Sequence, residues 1–313
     1  MKKTVIKYLI FAGIILFSLK GMSQQDPLFT QYMYNMSVIN PGYATDDPGM
    51  LNLGGIYRSQ WQNVDGAPTT ANFFAHTPIN ERVELGLTVV HDEIGGWIKE
   101  NNITADFAYV LPVSDNSKLS FGAKGGLTTF DSNTSGIIVN DPDDPAFNSF
   151  NEVFPVFGVG AFWFGDNYYL GVSAPNLFTS KHLENEQGIQ MIGEENIHYY
   201  LTGGYVFDIS EDVRLKPAFM VRGVQDAPLT VDATANVLLY DRLEAGIGYR
   251  FNETLTGLVN FKITPQLRVG YAYDHYTSDY AGFDVGGTHE IMVLFDIDLF
   301  GLTKGYDKSP RFF

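Results

Sequence analysis

An alternation of period two governs this chain from about residue 50 almost to its end. In the stretch from Leu243 to Phe251, the residues Leu243, Ala245, Ile247, Tyr249 and Phe251 fall on one face. Glu244, Gly246, Gly248 and Arg250 fall on the other. Successive side chains of a strand point to opposite sides, so such a run is a ribbon with one apolar and one polar face. About fourteen runs of this kind begin near Met50, Thr69, Val83, Ile103, Lys118, Pro155, Tyr168, His198, Val213, Leu229, Leu243, Thr254, Gln266 and Thr288. Most span about 9–11 residues, the length a tilted strand needs to cross a bilayer; a sandwich strand averages about 5–6.

Past residue 23 no uninterrupted apolar stretch approaches the roughly 20 residues of a membrane-spanning helix. Half-apolar strands then make either a soluble β protein or a closed barrel in lipid. A barrel is the one strand arrangement that leaves no backbone group unpaired in hydrocarbon. The connections favour the barrel. Asn80-Glu81-Arg82, Gly165-Asp166-Asn167, Ser210-Glu211-Asp212 and Asp241-Arg242 are short. His91 to Asn102, Asp131 to Phe154, Pro175 to Ile197 and Asp274 to Gly287 are long. Short turns at one end and long loops at the other are the outer-membrane pattern. Aromatics at the strand ends, among them Tyr168-Tyr169, Tyr199-Tyr200, Phe162-Trp163-Phe164, Tyr271, Tyr273 and Tyr276, suit interfacial girdles. The fold class is therefore all-β: a transmembrane antiparallel barrel of about 14 strands with a short N-terminal helical or plug segment.

Composition removes other classes. With 14% aromatic residues the chain is not predominantly disordered. A net charge of −16 argues against nucleic acid as a partner. The absence of cysteine excludes disulfide scaffolds, thiol catalysis, zinc–thiolate sites and a lipid-anchoring cysteine. Lys2, Lys3 and Lys7, the apolar run Tyr8 to Leu19 and the small-residue site Gly21-Met22-Ser23 read as a secretory signal peptide. The expected organisation is signal peptide 1–23, plug or periplasmic segment 24–48, barrel 49–300 and periplasmic tail 301–313.

The segment ahead of the first strand has a different period. Asp26-Pro27 suits a helix start, and Leu28, Phe29, Tyr32, Met33 and Met36 follow helical spacing up to the turn Asn40-Pro41-Gly42. A short amphipathic helix must bury its apolar side. A plug in the barrel lumen, with Asp26, Pro27, Phe29, Gln31, Tyr32 and Tyr34 as its contact residues, is preferred over a flap on the periplasmic rim.

If apolar residues face lipid, the polar faces turn inward. Arg214, Lys216, Arg222, Asp232, Glu244, Arg250, Lys262 and Arg268 then line the lumen, as do Asp106 and Glu290. A lysine or arginine facing lipid at the midplane would cost about 2–4 kcal/mol. These charges either neutralise one another or present a positive wall that holds the plug or a partner. The long loops are acidic and carry interspersed apolar residues. Phe147, Phe150, Phe178 and Met191 are the candidate partner-docking residues there; folding of the loops over the barrel mouth is the other use of such rings. The same acidity would suit divalent bridging to lipopolysaccharide.

No catalytic constellation emerges, and no cofactor is implied. His91-Asp92-Glu93 sits in an expected loop without further ligands, and Asp141-Pro142-Asp143-Asp144 lacks the glycine of a calcium loop. His289-Glu290 lacks a second histidine, and Gly171-Val172-Ser173-Ala174-Pro175 lacks the closing glycine of a nucleophile elbow.

The run Gln25-Asp26-Pro27-Leu28-Phe29-Thr30-Gln31-Tyr32-Met33-Tyr34-Asn35, followed by Asn40-Pro41-Gly42-Tyr43-Ala44, resembles the mature start of the PorP/SprF family of Bacteroidetes-type outer-membrane proteins. Tyr57-Arg58-Ser59-Gln60-Trp61, Val153 to Gly160, Leu170 to Leu177, Gly270 to Asp274, Gly286 to Met292 and Ser309 to Phe313 extend the likeness over the mature chain. The resemblance implies a non-enzymatic part of the type IX secretion and gliding apparatus. It implies a barrel that helps secrete or anchor a surface adhesin bearing a sorting domain, with periplasmic or peptidoglycan-associated machine components as further partners. A channel or transporter for small or hydrophobic solutes is the alternative that the distant fold relatives suggest.

Overall fold

The computed structural model describes residues 28–45, 49–133, 149–178, 180–182, 193–225, 227–277 and 285–299. Fourteen antiparallel strands form a closed barrel. They are β1 (Met50–Ser59), β2 (Thr69–Asn80), β3 (Val83–Ile94), β4 (Ile98–Ser114), β5 (Ser117–Ser132), β6 (Phe150–Phe164) and β7 (Tyr168–Ala174). After them come β8 (His198–Tyr205, resumed over Phe207–Ser210), β9 (Val213–Val224), β10 (Thr230–Leu239), β11 (Leu243–Arg250), β12 (Thr254–Lys262), β13 (Leu267–Tyr276) and β14 (Thr288–Asp298). The barrel closes where β1 pairs with β14 from Met50↔Asp298 to Ser59↔His289, so neither strand keeps a free edge. A short hairpin, Ser180–His182 with Gly193–Glu195, lies in the β7–β8 connection outside this sheet.

The alternation is inverted relative to a soluble protein. Along β12, Thr254, Thr256, Leu258, Asn260 and Lys262 are buried while Leu255, Val259 and Phe261 are exposed. Only a barrel in lipid makes that arrangement favourable, because the outer apolar rings then meet hydrocarbon and the inner polar groups meet one another. At the girdles each neighbouring aromatic pair splits. Trp163, Tyr199, Tyr271 and Tyr273 point outward, whereas Phe162, Phe164, Tyr169, Tyr200 and Tyr276 are buried inside. Outside, Trp163 meets Tyr168 edge-on at 5.1 Å and donates its indole N–H to Ser117 at 2.7 Å. So half of the expected girdle rings are lumen fillers.

Two further expectations need correction. The stretch His91 to Asn102 is not a loop. Strands β3 and β4 run on to Ile94↔Ile98, and Gly95 and Gly96 turn the chain there at φ 70° and 74°, a region that glycine tolerates. The N-terminal segment is not one amphipathic helix. It has a 3-10 turn at Tyr32–Tyr34 and a single α turn at Met36–Ile39, separated at Asn35. The barrel wall satisfies backbone groups that a continuous helix would have paired internally.

Candidate functional site

Residues 28–45 lie inside the barrel and touch strands around most of its circumference. One side of this segment is clasped by charge. Arg58 on β1 donates from Nη2 to Asp274 Oδ2 of β13 at 2.9 Å and from Nη1 to Glu290 Oε2 of β14 at 3.1 Å. The same Nη1 reaches Thr30 Oγ1 at 2.6 Å, and Thr30 Oγ1 donates to Asp274 Oδ2 at 2.6 Å. Glu290 accepts the backbone N–H groups of both Thr30 and Gln31 at 2.8 Å. Two carboxylates thus share one guanidinium, and the remaining negative charge is held by two backbone amides and by the hydroxyl of Thr256, which donates to Asp274 at 2.6 Å. Lower in the lumen, Glu244 accepts hydrogen bonds from the Tyr34 hydroxyl, from Asn236 at 2.6 Å and from Asn260 at 3.0 Å. The Lys216 ammonium lies 5.0 Å from the centre of the Tyr34 ring, within cation–π reach.

The other side is seated on rings. Tyr43 packs edge-on against Phe162 at 5.4 Å, and Phe162 stacks on Tyr169 at 5.6 Å. Phe29, Tyr32, Met33, Met36 and Ile39 join them in one buried cluster with Phe164, Tyr200, Met220 and Met292. Here the wall bonds the segment's backbone. Lys124 donates to the carbonyls of Ser37 and Val38 at 3.0 and 2.8 Å, and Ser173 donates to that of Ile39 at 2.6 Å. At the short-turn end the Thr45 N–H meets Glu84 at 2.7 Å, and Glu84 lies 3.1 Å from His76 Nε2. Close approach needs glycine: a Cβ on Gly122 would come within 2.0 Å of the Pro41 carbonyl oxygen.

Of the residues singled out from sequence, Phe29, Gln31, Tyr32 and Tyr34 are all buried in this contact, and Asp26 and Pro27 lie outside the described residues. Lys216, Arg222, Asp232, Glu244, Arg250, Lys262 and Arg268 are buried within the barrel, as are Asp106 and Glu290. Arg250 pairs with Asp232 at 2.7 Å, and Arg222 donates to Thr230 at 3.3 Å. Arg214 sits half-exposed at the short-turn rim, paired with the exposed Asp241. Phe147 and Met191 lie outside the described residues, Phe150 opens β6, and Phe178 is exposed beyond β7. Asp141-Pro142-Asp143-Asp144, the segment 1–23 and the tail 301–313 are likewise outside them. Among the described residues no group of three or more His, Cys, Asp or Glu side chains could hold a metal.

Arg58, Asp274, Glu84 and Lys124 are not among the candidate lumen charges read from sequence, although Arg58 and Asp274 fall in family-like runs, yet they hold the inner segment. Their signal was the same parity rule. Arg58 stands between the outward Tyr57 and Ser59, and Asp274 follows the outward Tyr273.

The family model described as type IX secretion system membrane protein PorP/SprF matches residues 21–295. The chain belongs to the PorP/SprF family. No curated protein matches it. Among solved structures, this PorP/SprF barrel is similar to a Pseudomonas aeruginosa FadL homologue, at 12% identity and a TM-score of 0.51, covering 89% of this chain and 100% of that one. It is also similar to the CymD monoaromatic hydrocarbon channel, at 13% identity and a TM-score of 0.50, covering 88% and 94%. The outer membrane protein Omp33 of Acinetobacter baumannii aligns at 10% identity with a TM-score of 0.47, covering 80% and 97%. At these identities the first two likenesses speak to the fold alone: an outer-membrane β-barrel.

Proposed function

We propose that this PorP/SprF barrel is a non-enzymatic holder of a secreted surface protein and not a conduit for solutes. It is exported by cleavage after residue 23 and presents its acidic, aromatic-bearing long loops at the cell surface. There it engages a large sorting-domain adhesin during secretion or anchoring, in service of gliding or attachment. Its short-turn rim faces periplasmic and peptidoglycan-associated parts of the machine. The observation that carries this reading is the filled lumen: residues 28–45 occupy it, bonded to β1, β3, β5, β7, β11, β13 and β14. A polypeptide that fills its own barrel leaves the outer surface and rims for partners.

The alternative is a channel for small or hydrophobic solutes, as CymD is a monoaromatic hydrocarbon channel. The two readings differ in two measurements. Affinity capture from detergent with mass spectrometry should recover a large secreted protein carrying a sorting domain, together with secretion-machine components. The purified barrel in a planar bilayer should conduct poorly, and deletion of residues 24–43 should open it. High conductance of the intact protein with neither kind of partner recovered would favour the channel.

A further inference from the structure

On the long-loop side, strands β3, β4 and β5 rise past the lipid. The outward residues of β4, Ile103, Ala105, Phe107, Tyr109, Leu111 and Val113, are apolar and exposed. From Val113 to Ile103 a tilted strand climbs roughly 25 Å, the depth of a barrel's apolar band. Beyond Ile103 the outward positions turn polar on three neighbouring strands in register. Asn101 stands between His91 of β3 and Thr129 of β5, and Lys99 stands between Glu93 and Asp131. His91 Nδ1 and Asn101 Oδ1 lie 2.7 Å apart, and Asn101 donates from Nδ2 to Thr129 Oγ1 at 3.2 Å. Lys99 lies 3.8 Å from Glu93, and Asn151 of β6 donates to Asp131 at 3.2 Å. These bonds order the face and use only part of its capacity, because an imidazole, a carboxamide and a hydroxyl each hold further donors or acceptors. Trp97 crowns the face at the tip of the β3–β4 hairpin. It stands about 15 Å above Ile103, too high for an interfacial girdle. Its indole is seated on Gly95, where a Cβ would come within 1.8 Å of Nε1. That glycine turns the chain at φ 70° and makes room for the ring, and Trp97 stays 37% exposed.

A seated aromatic ring beside imidazole, amide, hydroxyl and carboxylate groups matches a saccharide, whose ring offers an apolar C–H face and a rim of hydroxyls that donate and accept. A phosphate fits less well. Lys99 stands between two carboxylates, and among the described residues no group of three or more His, Cys, Asp or Glu side chains could hold a bridging metal. Height decides the source: what surrounds the wall just above the hydrocarbon is the headgroup and sugar layer of the same leaflet. We infer that the upper outer face of β3–β5 binds the saccharide part of an outer-leaflet glycolipid, with Trp97 against a sugar ring and His91, Asn101 and Thr129 on its hydroxyls. The contact is direct, without a bridging cation, and it does not depend on the holder function.

The full-length barrel, dye-labelled and held in a detergent without sugar headgroups, can be titrated by thermophoresis with rough lipopolysaccharide, which carries lipid A and core sugars. Lipid A without the core sugars should bind at least about tenfold more weakly. Asn101→Ala with Thr129→Ala should weaken binding of the rough lipopolysaccharide about tenfold, and Trp97→Ala about fivefold. Asp208→Asn with Glu211→Gln, exposed at the other rim, should leave it unchanged. Heat-modified migration on gels reports whether each variant keeps its barrel, and the double change at Asn101 and Thr129 tests the face should Trp97→Ala fail to fold. Chelation by EDTA should not alter the affinity. Equal affinity for lipid A and rough lipopolysaccharide overturns the inference, as does wild-type affinity in the folded Asn101→Ala, Thr129→Ala protein. Loss of binding in EDTA overturns the direct contact in favour of a bridging cation. The de-acylated core saccharide should compete only at concentrations at least about tenfold higher, because it lacks the bilayer that holds the glycolipid beside the wall. Competition by that saccharide as potent as by the whole lipopolysaccharide overturns the leaflet source in favour of a soluble glycan.

Discussion

The inner segment is held on two sides by different physics. Toward β13, β14 and β1 it meets Arg58, Asp274 and Glu290, three charged groups almost wholly removed from water. Toward β6 and β7 it meets Phe162, Phe164 and Tyr169. A buried ion pair contributes little net stability over an apolar replacement, but removing one partner is expensive, because the other charge stays buried without compensation. Ring packing behaves the other way: it contributes through area and volume, and it tolerates replacements of similar size. The clasp therefore fixes one register of the segment, while the aromatic seat supplies adhesion that is indifferent to small shifts. A plug held only by rings could slide; one held only by charge would gain little from being there.

Breaking the clasp should have the largest effect. Arg58→Ala leaves Asp274 and Glu290 facing each other, and the expected loss is about 3–5 kcal/mol of stability in urea unfolding followed by gel mobility. Amides of residues 28–45 should then exchange faster than those of the wall. Changing all three groups, Arg58→Met with Asp274→Asn and Glu290→Gln, should recover most of that loss. If the triple variant is as unstable as Arg58→Ala, lost contacts rather than unpaired charge carry the cost.

Trimming the seat should matter less. Phe162→Leu keeps an apolar side chain of similar bulk against Tyr43 and Tyr169, and its cost should stay under about 1.5 kcal/mol in the same unfolding measurement. A loss as large as that of Arg58→Ala would show that the seat, too, is register-specific. The smallest effect belongs to the rim. The Arg214–Asp241 pair is open to water on both partners, so Arg214→Ala should cost about 0.2–1 kcal/mol, and added salt should shrink the difference further. A salt-insensitive loss would mean that Arg214 acts deeper in the lumen than its exposure indicates.

Sequence parity alone reaches a long way into this site. Lys216, Arg222, Glu244 and Arg250 could be placed inside because their neighbours on the strand are apolar and one rule sorts every alternating run. Arg58 and Asp274 obey the same rule, but they stand near strand ends beside glycines, tyrosines and serines, where the alternation is weakly written. The girdle aromatics show the limit of composition. Tyr168 and Tyr169 are the same residue type in sequence, but only Tyr169 stacks on Phe162 inside. The inner segment shows the limit of periodicity. Its helical spacing is real, but its backbone is bonded by Glu290, Lys124 and Ser173, which lie on strands far away in the chain.

Local pattern determined what it could encode residue by residue. The period of the apolar face, the strand lengths and the contrast of short and long connections together favoured a closed barrel over a soluble β protein, and in lipid such a barrel turns its polar face inward, because hydrocarbon permits no unpaired strand edge. Only the tertiary structure decided which inward charge meets which and where the segment 28–45 lies in the lumen. Those outcomes depend on barrel closure, strand register and contacts between residues far apart in the chain, and no local window of sequence contains them.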